Sequence, residues 1–355
     1  MNTFGTQFRI TSYGESHGKL IGIIVDGCPP GVKIDLDKIQ HELNRRRPGQ
    51  SKISTSRSEK DRVKILSGVK DGYSTGAPIS MIIENQDKDS TKYDSVTRTP
   101  RPSHSDYPAL QKYGKWVDLR GSGRFSGRNT AGFVMAGAIA SIILEERSMK
   151  IAAYTKEIAG VIDDSEYSVD EIKSSVENNT VRTVKVAIAD RMIEVIESAK
   201  SDDDSVGGII SCVAEGVPAG IGDPMFHSVE SVVSSAMFSI PAIKGIEFGV
   251  GFKAARMRGS EHNDPYCIEN GKIRAESNNA GGIIGGITTG MPIRFNVVVK
   301  PTASIGIEQK TVNLKTKEEV KIKIEGRHDP CIVPRAVPVV EAMFTIALVN
   351  LLDLS

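Results

Sequence analysis

L-I-G-I-I-V-D at Leu20–Asp26, then G-C-P-P-G at Gly27–Gly31, then a helix predicted from Asp35 to Arg46: this run decides the fold, because its grammar occurs twice. From Gly27 to Gly216 the offset is 189 residues, and there I-I-S-C-V-A-E at Ile209–Glu215 reads as a strand, G-V-P-A-G fills Gly216–Gly220, and Phe226–Phe238 reads as a helix. Runs of β-branched residues favour strands, Gly-Pro clusters mark turns, and Asp35 suits an N-cap ahead of the apolar face of Leu36, Ile39 and Leu43. Two Gly-Pro turns can agree by chance. A strand, an acid, G-x-P-x-G and a helix in the same order favour a duplicated core.

Outward from these runs, strands are predicted at Arg62–Leu66, Ile79–Glu84, Lys185–Ala189 and Ile293–Lys300, and helices at Thr130–Glu146, Val169–Glu177 and Arg191–Lys200. The order lacks the regular βα alternation of a doubly wound sheet, so the class is α+β. No low-complexity linker divides the chain, and residues 1–355 are expected to form one domain with an internal pseudo-two-fold repeat of strand-turn-helix units. An apolar content of 39% in 355 residues is enough for a substantial core.

The formal net charge of +1 hides an asymmetry, with 18 Lys plus Arg against 9 Asp plus Glu between Asn44 and Arg128, and 27 against 35 elsewhere. A local basic field in a near-neutral chain fits a compact anionic ligand better than a long polyanion. Nucleic acid is therefore disfavoured as a partner, and the basic segments also lack interleaved aromatics for base stacking. Cys28, Cys212, Cys267 and Cys331 form no C-x-x-C pair and no zinc spacing, so they read as isolated thiols in a reducing compartment, and no metal is expected. The N-terminus has no apolar secretion core, and the most apolar predicted helix, Val337–Leu352, is interrupted by Pro338 and Glu341. A cytoplasmic, non-membrane protein is the expectation.

Arg98 to Asn129 holds five arginines, four glycines and His104, without helical or strand periodicity, and a long aperiodic stretch in a compact chain is usually functional or disordered. Its tyrosines and Trp116 argue for a binding loop. His104 sits in R-P-S-H-S-D between Arg101, a cation for an anion, and Asp106, a carboxylate that can orient the imidazole. His17 sits in G-E-S-H-G, where Ser16 and His17 can reach a ligand that Gly14 and Gly18 let approach; a structural histidine in a turn is an equal account. R-R-R-P-G-Q-S-K-I-S-T-S-R at Arg45–Arg57 resembles a carboxylate or phosphate clamp, since helix C-capping explains one of its arginines but hardly three. G-S-G-R-F-S-G at Gly121–Gly127 precedes a helix and can offer N–H groups to a phosphate, yet Ser126 breaks the dinucleotide fingerprint. A-G-G-I-I-G-G-I at Ala280–Ile287, K-P-T-A-S at Lys300–Ser304 and G-R-H-D-P at Gly326–Pro330 complete the set. A strand crossing and an ion-pair knot are the bland readings of the first and last.

Together these blocks resemble the chorismate synthase family over nearly the whole chain, through F-R-I-T-S-Y-G-E-S-H-G, R-R-R-P-G-Q, R-P-S-H-S-D-Y, R-G-S-G-R-F-S-G-R-N-T-A, N-A-G-G-I-I-G-G-I and G-R-H-D-P-C-I-V-P-R-A-V-P-V-V-E-A-M. The resemblance implies a β-α-β sandwich, a homotetramer, and anti 1,4-elimination of phosphate from 5-enolpyruvylshikimate 3-phosphate to give chorismate, in the shikimate pathway. It implies reduced FMN without net oxidation, with an external reductant for the flavin. On this chain His17 would protonate the departing phosphate, His104 would maintain the flavin's protonation state, and Asp329 would help relay a proton. Substrate contacts would be Ser16, Arg46, Arg101, Arg124 and Arg327, with Arg45, Arg47 and Arg57 as near candidates. FMN contacts would be Arg124, Ser126, Ala242, Gly285, Lys300, Pro301, Thr302, Ala303, Ser304 and Arg327, and a nicotinamide nucleotide would touch Arg46 and Lys52. The chain departs from the family pattern at Lys52, Ser103, Ser105, Ser122, Asn129 and Pro241. Lysine at position 52 keeps the charge but loses bidentate geometry. Two rivals stand beside this reading: a nucleic-acid binder with steep salt dependence, and a flavin-independent protein for a phosphorylated carboxylic acid.

Overall fold

The structure, a computed structural model, describes residues 1–49, 60–86, 98–324 and 329–354. Two five-stranded antiparallel sheets enclose a layer of helices. The first sheet contains β1 (Arg9–Gly14), β2 (Leu20–Asp26), β3 (Lys64–Ile65) and β4 (Ile79–Glu84), in the order β1-β2-β4-β3 with Thr3–Phe4 on the β1 edge. The second contains β5 (Lys150–Ile158), β6 (Gly208–Glu215), β7 (Ile243–Phe248) and β8 (Ile293–Val299), in the order β5-β6-β8-β7 with Val161–Ile162 on the β5 edge. Between them lie α1 (Leu36–Arg46), α3 (Thr130–Glu145), α5 (Val229–Phe238) and α6 (Val333–Val349). Outside that layer are α2 (Asp106–Tyr113) and α4 (Val186–Ser201).

The repeated strand of the sequence is the central strand of each sheet. Each copy follows the path strand, strand, helix, strand, strand, helix, so β1, β2, α1, β3, β4 and α3 correspond to β5, β6, α5, β7, β8 and α6. The turn after the central strand shows why the copies share G-x-P-x-G. Gly27 and Gly31 have φ of +84° and +86°, and Gly216 and Gly220 have +78° and +97°. A side chain at Gly27 would strike the Gln7 carbonyl, and one at Gly216 the Ser148 carbonyl, in each case just ahead of the preceding strand. Caps complete the correspondence: the Asp35 side chain accepts from Asp37 and Lys38 N–H, and Ser228 accepts from Ser231 N–H.

Some expectations need correction. Lys185–Ala189, expected as a strand, is the N-cap and first turn of α4, whose buried Ala189, Met192, Ile196 and Ala199 recur at helical spacing. The expected helix at Phe226 starts only at Val229, and Arg62–Leu66 shortens to a two-residue strand. β1, β5 and β7 went unpredicted, and the aperiodic Arg98–Asn129 stretch contains α2.

The middle layer is held by close helix contact. By length and composition the helical run Gly127–Glu145 could cross a membrane, but 72% of that window is buried inside the fold. Where α3 meets α6, a β-carbon on Gly137 would land on Cβ and Cα of Ala342. On the second sheet's side, Phe295 and Phe344 stack edge to face at 4.8 Å. Gly137→Ala is expected to lower stability by about 2 kcal/mol. Overpacking against backbone costs roughly 3, and the better helix propensity of alanine returns about 1. Urea denaturation checks this, and an unchanged midpoint would show that the helices do not depend on the close approach.

Candidate active site

Residues 15–19 link β1 to β2 and carry Ser16 and His17. Asn85, just past β4, clamps this loop by donating from Nδ2 to the carbonyls of Glu15 (2.9 Å) and Gly18 (3.1 Å). Ser16 N–H donates to the Gly123 carbonyl at 3.3 Å, and both Ser16 and His17 are buried. Gly121 lies against the imidazole so closely that a β-carbon there would overlap its Cδ2 and Nε2.

Gly121, Ser122 and Gly123 are left-handed, with φ of +56°, +69° and +50°. Ser122 Oγ accepts from Arg101 Nη2 at 3.2 Å and stands 3.2 Å from His104 Nε2. The other ring nitrogen of His104, Nδ1, donates to Asp106 Oδ1 at 2.7 Å. Arg101 grips the same carboxylate with its backbone N–H (3.1 Å), Nε (2.7 Å) and Nη2 (2.8 Å). Asp106 has no exposed surface. Burial alone would raise its pKa, but the hydrogen bonds from Arg101 and His104 reverse this and hold the carboxyl far below the usual range.

From Arg101 the contacts continue into the loop after β8. Arg101 Nη1 donates to Ser304 Oγ at 3.2 Å, Lys300 Nζ to the Ser103 carbonyl at 3.3 Å, and Thr302 Oγ1 to the Asp329 carbonyl at 2.9 Å. The Asp329 carboxylate pairs with Arg335, whose Nε donates to the Arg46 carbonyl at 3.4 Å. Arg46 is buried and donates to Thr130 Oγ1 (3.2 Å), the Gly127 carbonyl (2.9 Å) and Asp61 (3.4 Å). Asp61 also accepts from Arg128 at 2.9 Å, and Arg128 Nε donates to Asn85 Oδ1 at 2.7 Å. The ring closes on the residue where it began.

Among the described residues, this ring joins Arg46, Arg101, Arg128, Arg335 and Lys300 to the carboxylates of Asp61, Asp106 and Asp329. Burial, and next the charge of Arg335, push the Arg46 guanidinium down to about 9, with Asp61 opposing. Burial and then Lys244 lower Lys300 as well. An arriving anion relieves that repulsion.

Not every expected residue joins the ring. Arg45 is held by Glu42 (2.7 Å), Glu177 (2.7 Å) and Glu341 (2.5 Å), beside a cavity of about 300 Å³ between α1, α3 and α6. Against its burial, these carboxylates raise its pKa. Arg47 is exposed at the C-cap of α1, with its N–H on the Leu43 carbonyl. Exposed Arg124 pairs with Asn2 and stacks 5.5 Å from the Tyr113 ring, while Ser126 accepts from Arg128 N–H. The Ala242 carbonyl accepts from Lys300 N–H at 3.0 Å. Gly285 turns the hairpin of Ile283–Ile284 and Ile287–Thr288, next to Gly286, which packs on Ser228 and Pro224. Lys52, Arg57, Arg327 and His328 lie outside the described residues. Asn85, Asp61, Arg128 and Arg335 were not anticipated; the lone cation in apolar α6 was the available signal for Arg335, and nothing distinguished Asp61.

The profile of the chorismate synthase family matches residues 8–352. The chain belongs to that family. It is 51% identical over 346 residues to the chorismate synthase of Korarchaeum cryptofilum, covering 97% of this chain and 96% of that protein. It is 50% identical over 347 residues to that of Methanosarcina acetivorans, covering 98% and 94%. A solved structure described as the crystal structure of chorismate synthase superposes with a TM-score of 0.76 at 30% identity, over 98% of this chain and 92% of that one. As a chorismate synthase family member the chain is a lyase of the shikimate pathway.

Asp106→Asn is expected to destabilise the protein by about 3 kcal/mol at neutral pH, because Arg101 is left buried without its counter-charge. The native carboxyl is depressed, so its contribution is complete above the unfolded value near 4 and is lost as pH falls below that. Chemical denaturation of both proteins at pH 7 and pH 3 should show the gap narrowing at the lower pH. A constant gap would mean that packing, and not charge, accounts for the loss.

Proposed function

We propose that this chain converts 5-enolpyruvylshikimate 3-phosphate to chorismate and phosphate by anti 1,4-elimination, with reduced FMN as required cofactor. The observation that carries the reading is the closed ring of arginines around two histidines, His17 and His104, set on either side of Gly121–Ser122–Gly123. A substrate bearing two carboxylates and a phosphate would offset the excess of cations over carboxylates among the described residues of the ring.

His17 is buried against the turn and protonates the departing phosphate. His104, oriented by Asp106, sets the protonation state of the flavin, and Asp329, steered by Arg335, relays a proton. Ser16, Arg46, Arg101, Arg124 and Arg327 hold the substrate. Arg101 does so from a guanidinium already locked by Asp106, which fixes its orientation in advance. Reduced FMN, when bound, would supply electron density to the reacting ring as phosphate leaves. Its place suits the loop Lys300–Ser304, whose hydroxyls and cation meet the His104 cluster, together with Arg124, Ser126, Ala242, Gly285 and Arg327. A nicotinamide contact at Arg46 and Lys52, an external flavin reductant, a homotetramer, a cytoplasmic location and a single domain over residues 1–355 complete the proposal.

An anaerobic assay with substrate and chemically reduced FMN should yield chorismate; folded protein giving none, or giving the same rate without flavin, sinks the reading. His17→Ala and His104→Ala should each slow turnover by on the order of a hundredfold, the weight of one general acid or base, with melting temperature near wild type. Arg46→Lys should raise KM about tenfold through loss of guanidinium geometry, whereas Arg45→Lys should leave KM unchanged.

A further inference from the structure

We infer that Ser122 is a positioning residue for His104: its hydroxyl, set between Arg101 and the imidazole, fixes which ring nitrogen carries the proton. The inference rests on the role of His104 proposed above. Its starting point is strain. Three consecutive left-handed residues call for three glycines, and the flanking Gly121 and Gly123 comply, but Ser122 holds φ at +69° with a buried side chain. Glycine would fit that backbone with less strain, so the hydroxyl is what serine adds.

Arg101 offers only donors, so Ser122 Oγ must accept from its Nη2 at 3.2 Å. The single hydroxyl proton is then free to turn toward His104 Nε2, also at 3.2 Å. On the opposite edge of the ring, the Asp106 carboxylate can only accept, and it takes the proton on Nδ1 at 2.7 Å. Arg101 Nη2, itself a donor, stands 3.1 Å from the same Nδ1, but the carboxylate is the nearer partner at 2.7 Å, so Asp106 and the Ser122 hydroxyl together favour one tautomer, with Nδ1 protonated and Nε2 bare. Among the described residues, the hydrogen bond to Nε2 comes from Ser122. When Nε2 gains a proton the same oxygen can accept it, so the ring need not move as its protonation changes. Among the described residues, the charged and titratable groups around His104 are Asp106 on α2, Arg101 in the loop before it, Lys300 against Ser103, and His17 across the turn against Gly121.

The test compares full-length Ser122→Gly and Ser122→Ala with wild type by nitrogen-15 NMR of the imidazoles, thermal melting and steady-state kinetics. Ser122→Gly should melt higher than wild type because the backbone strain is relieved. Its His104 Nε2 resonance should move toward that of a nitrogen without a hydrogen bond. Its kcat should fall by roughly two- to tenfold, the usual weight of one neutral hydrogen bond, with KM little changed. Ser122→Ala should share the spectral and kcat effects without the gain in melting temperature. An unchanged His104 spectrum in both variants overturns the inference, as does a Ser122→Gly protein that melts lower and loses activity in proportion. The spectrum is read without substrate, so it stands apart from any failure of the proposed activity.

Discussion

Asp106 is out of reach of water, so its charge is answered entirely by the groups around it, and that requirement fixes much of what surrounds it. Arg101 is turned inward to meet the carboxylate on three donors, His104 is turned to present Nδ1, and the loop after β8 is drawn in because Arg101 still has a donor left for Ser304. Removing a charge from water is tolerated only where geometry returns nearly all the lost solvation. Asp61 plays the same part for Arg46 and Arg128. Their result is a set of arginines that are rigid before any ligand arrives, so little side-chain entropy remains to be lost on binding.

The repeated architecture does not repeat the chemistry. In the first copy the link between the first two strands is short and carries His17; in the second, the link from β5 to β6 is long and holds α4. The turn residues that shape the sheets are duplicated, and the side chains that make the ring come once. They are drawn from the first copy, from the segment between β8 and α6, and from Arg335 in the first turn of α6.

What the sequence revealed divides along the same line. Gly27 and Gly216 announce their turns because backbone sterics leave glycine little competition there, and Asp35 announces a helix start by the same local logic. His17, His104 and Arg101 stood out by their neighbours in the chain, and the Asp106 contact was legible because it spans only a few residues. Asp61 and Asn85 were hidden: their roles come from partners far along the chain, such as Arg128, and no local pattern encodes that distance. Arg45 and Arg46 looked alike as adjacent cations, yet one helical step of about 100° sends one to Asp61 and the other to Glu42, Glu177 and Glu341. For α4 the error was local, since V-A-I-A alternates like a strand until Met192 and Ile196 set the period.

The ring of contacts joins Glu15 and Gly18, near the start of the chain, to Arg335, and the Asn350 side chain binds the backbone of Thr6, Gln7 and Phe8. During synthesis the residues of the N-terminal sheet are therefore made well before the contacts that close the site. A ribosome that has released everything but the last helix carries a chain with Ser16, His17, Arg46 and His104 already made and no closed circuit to hold them. The circuit closes only when that helix docks and brings Arg335 to the Asp329 carboxylate and the Arg46 carbonyl.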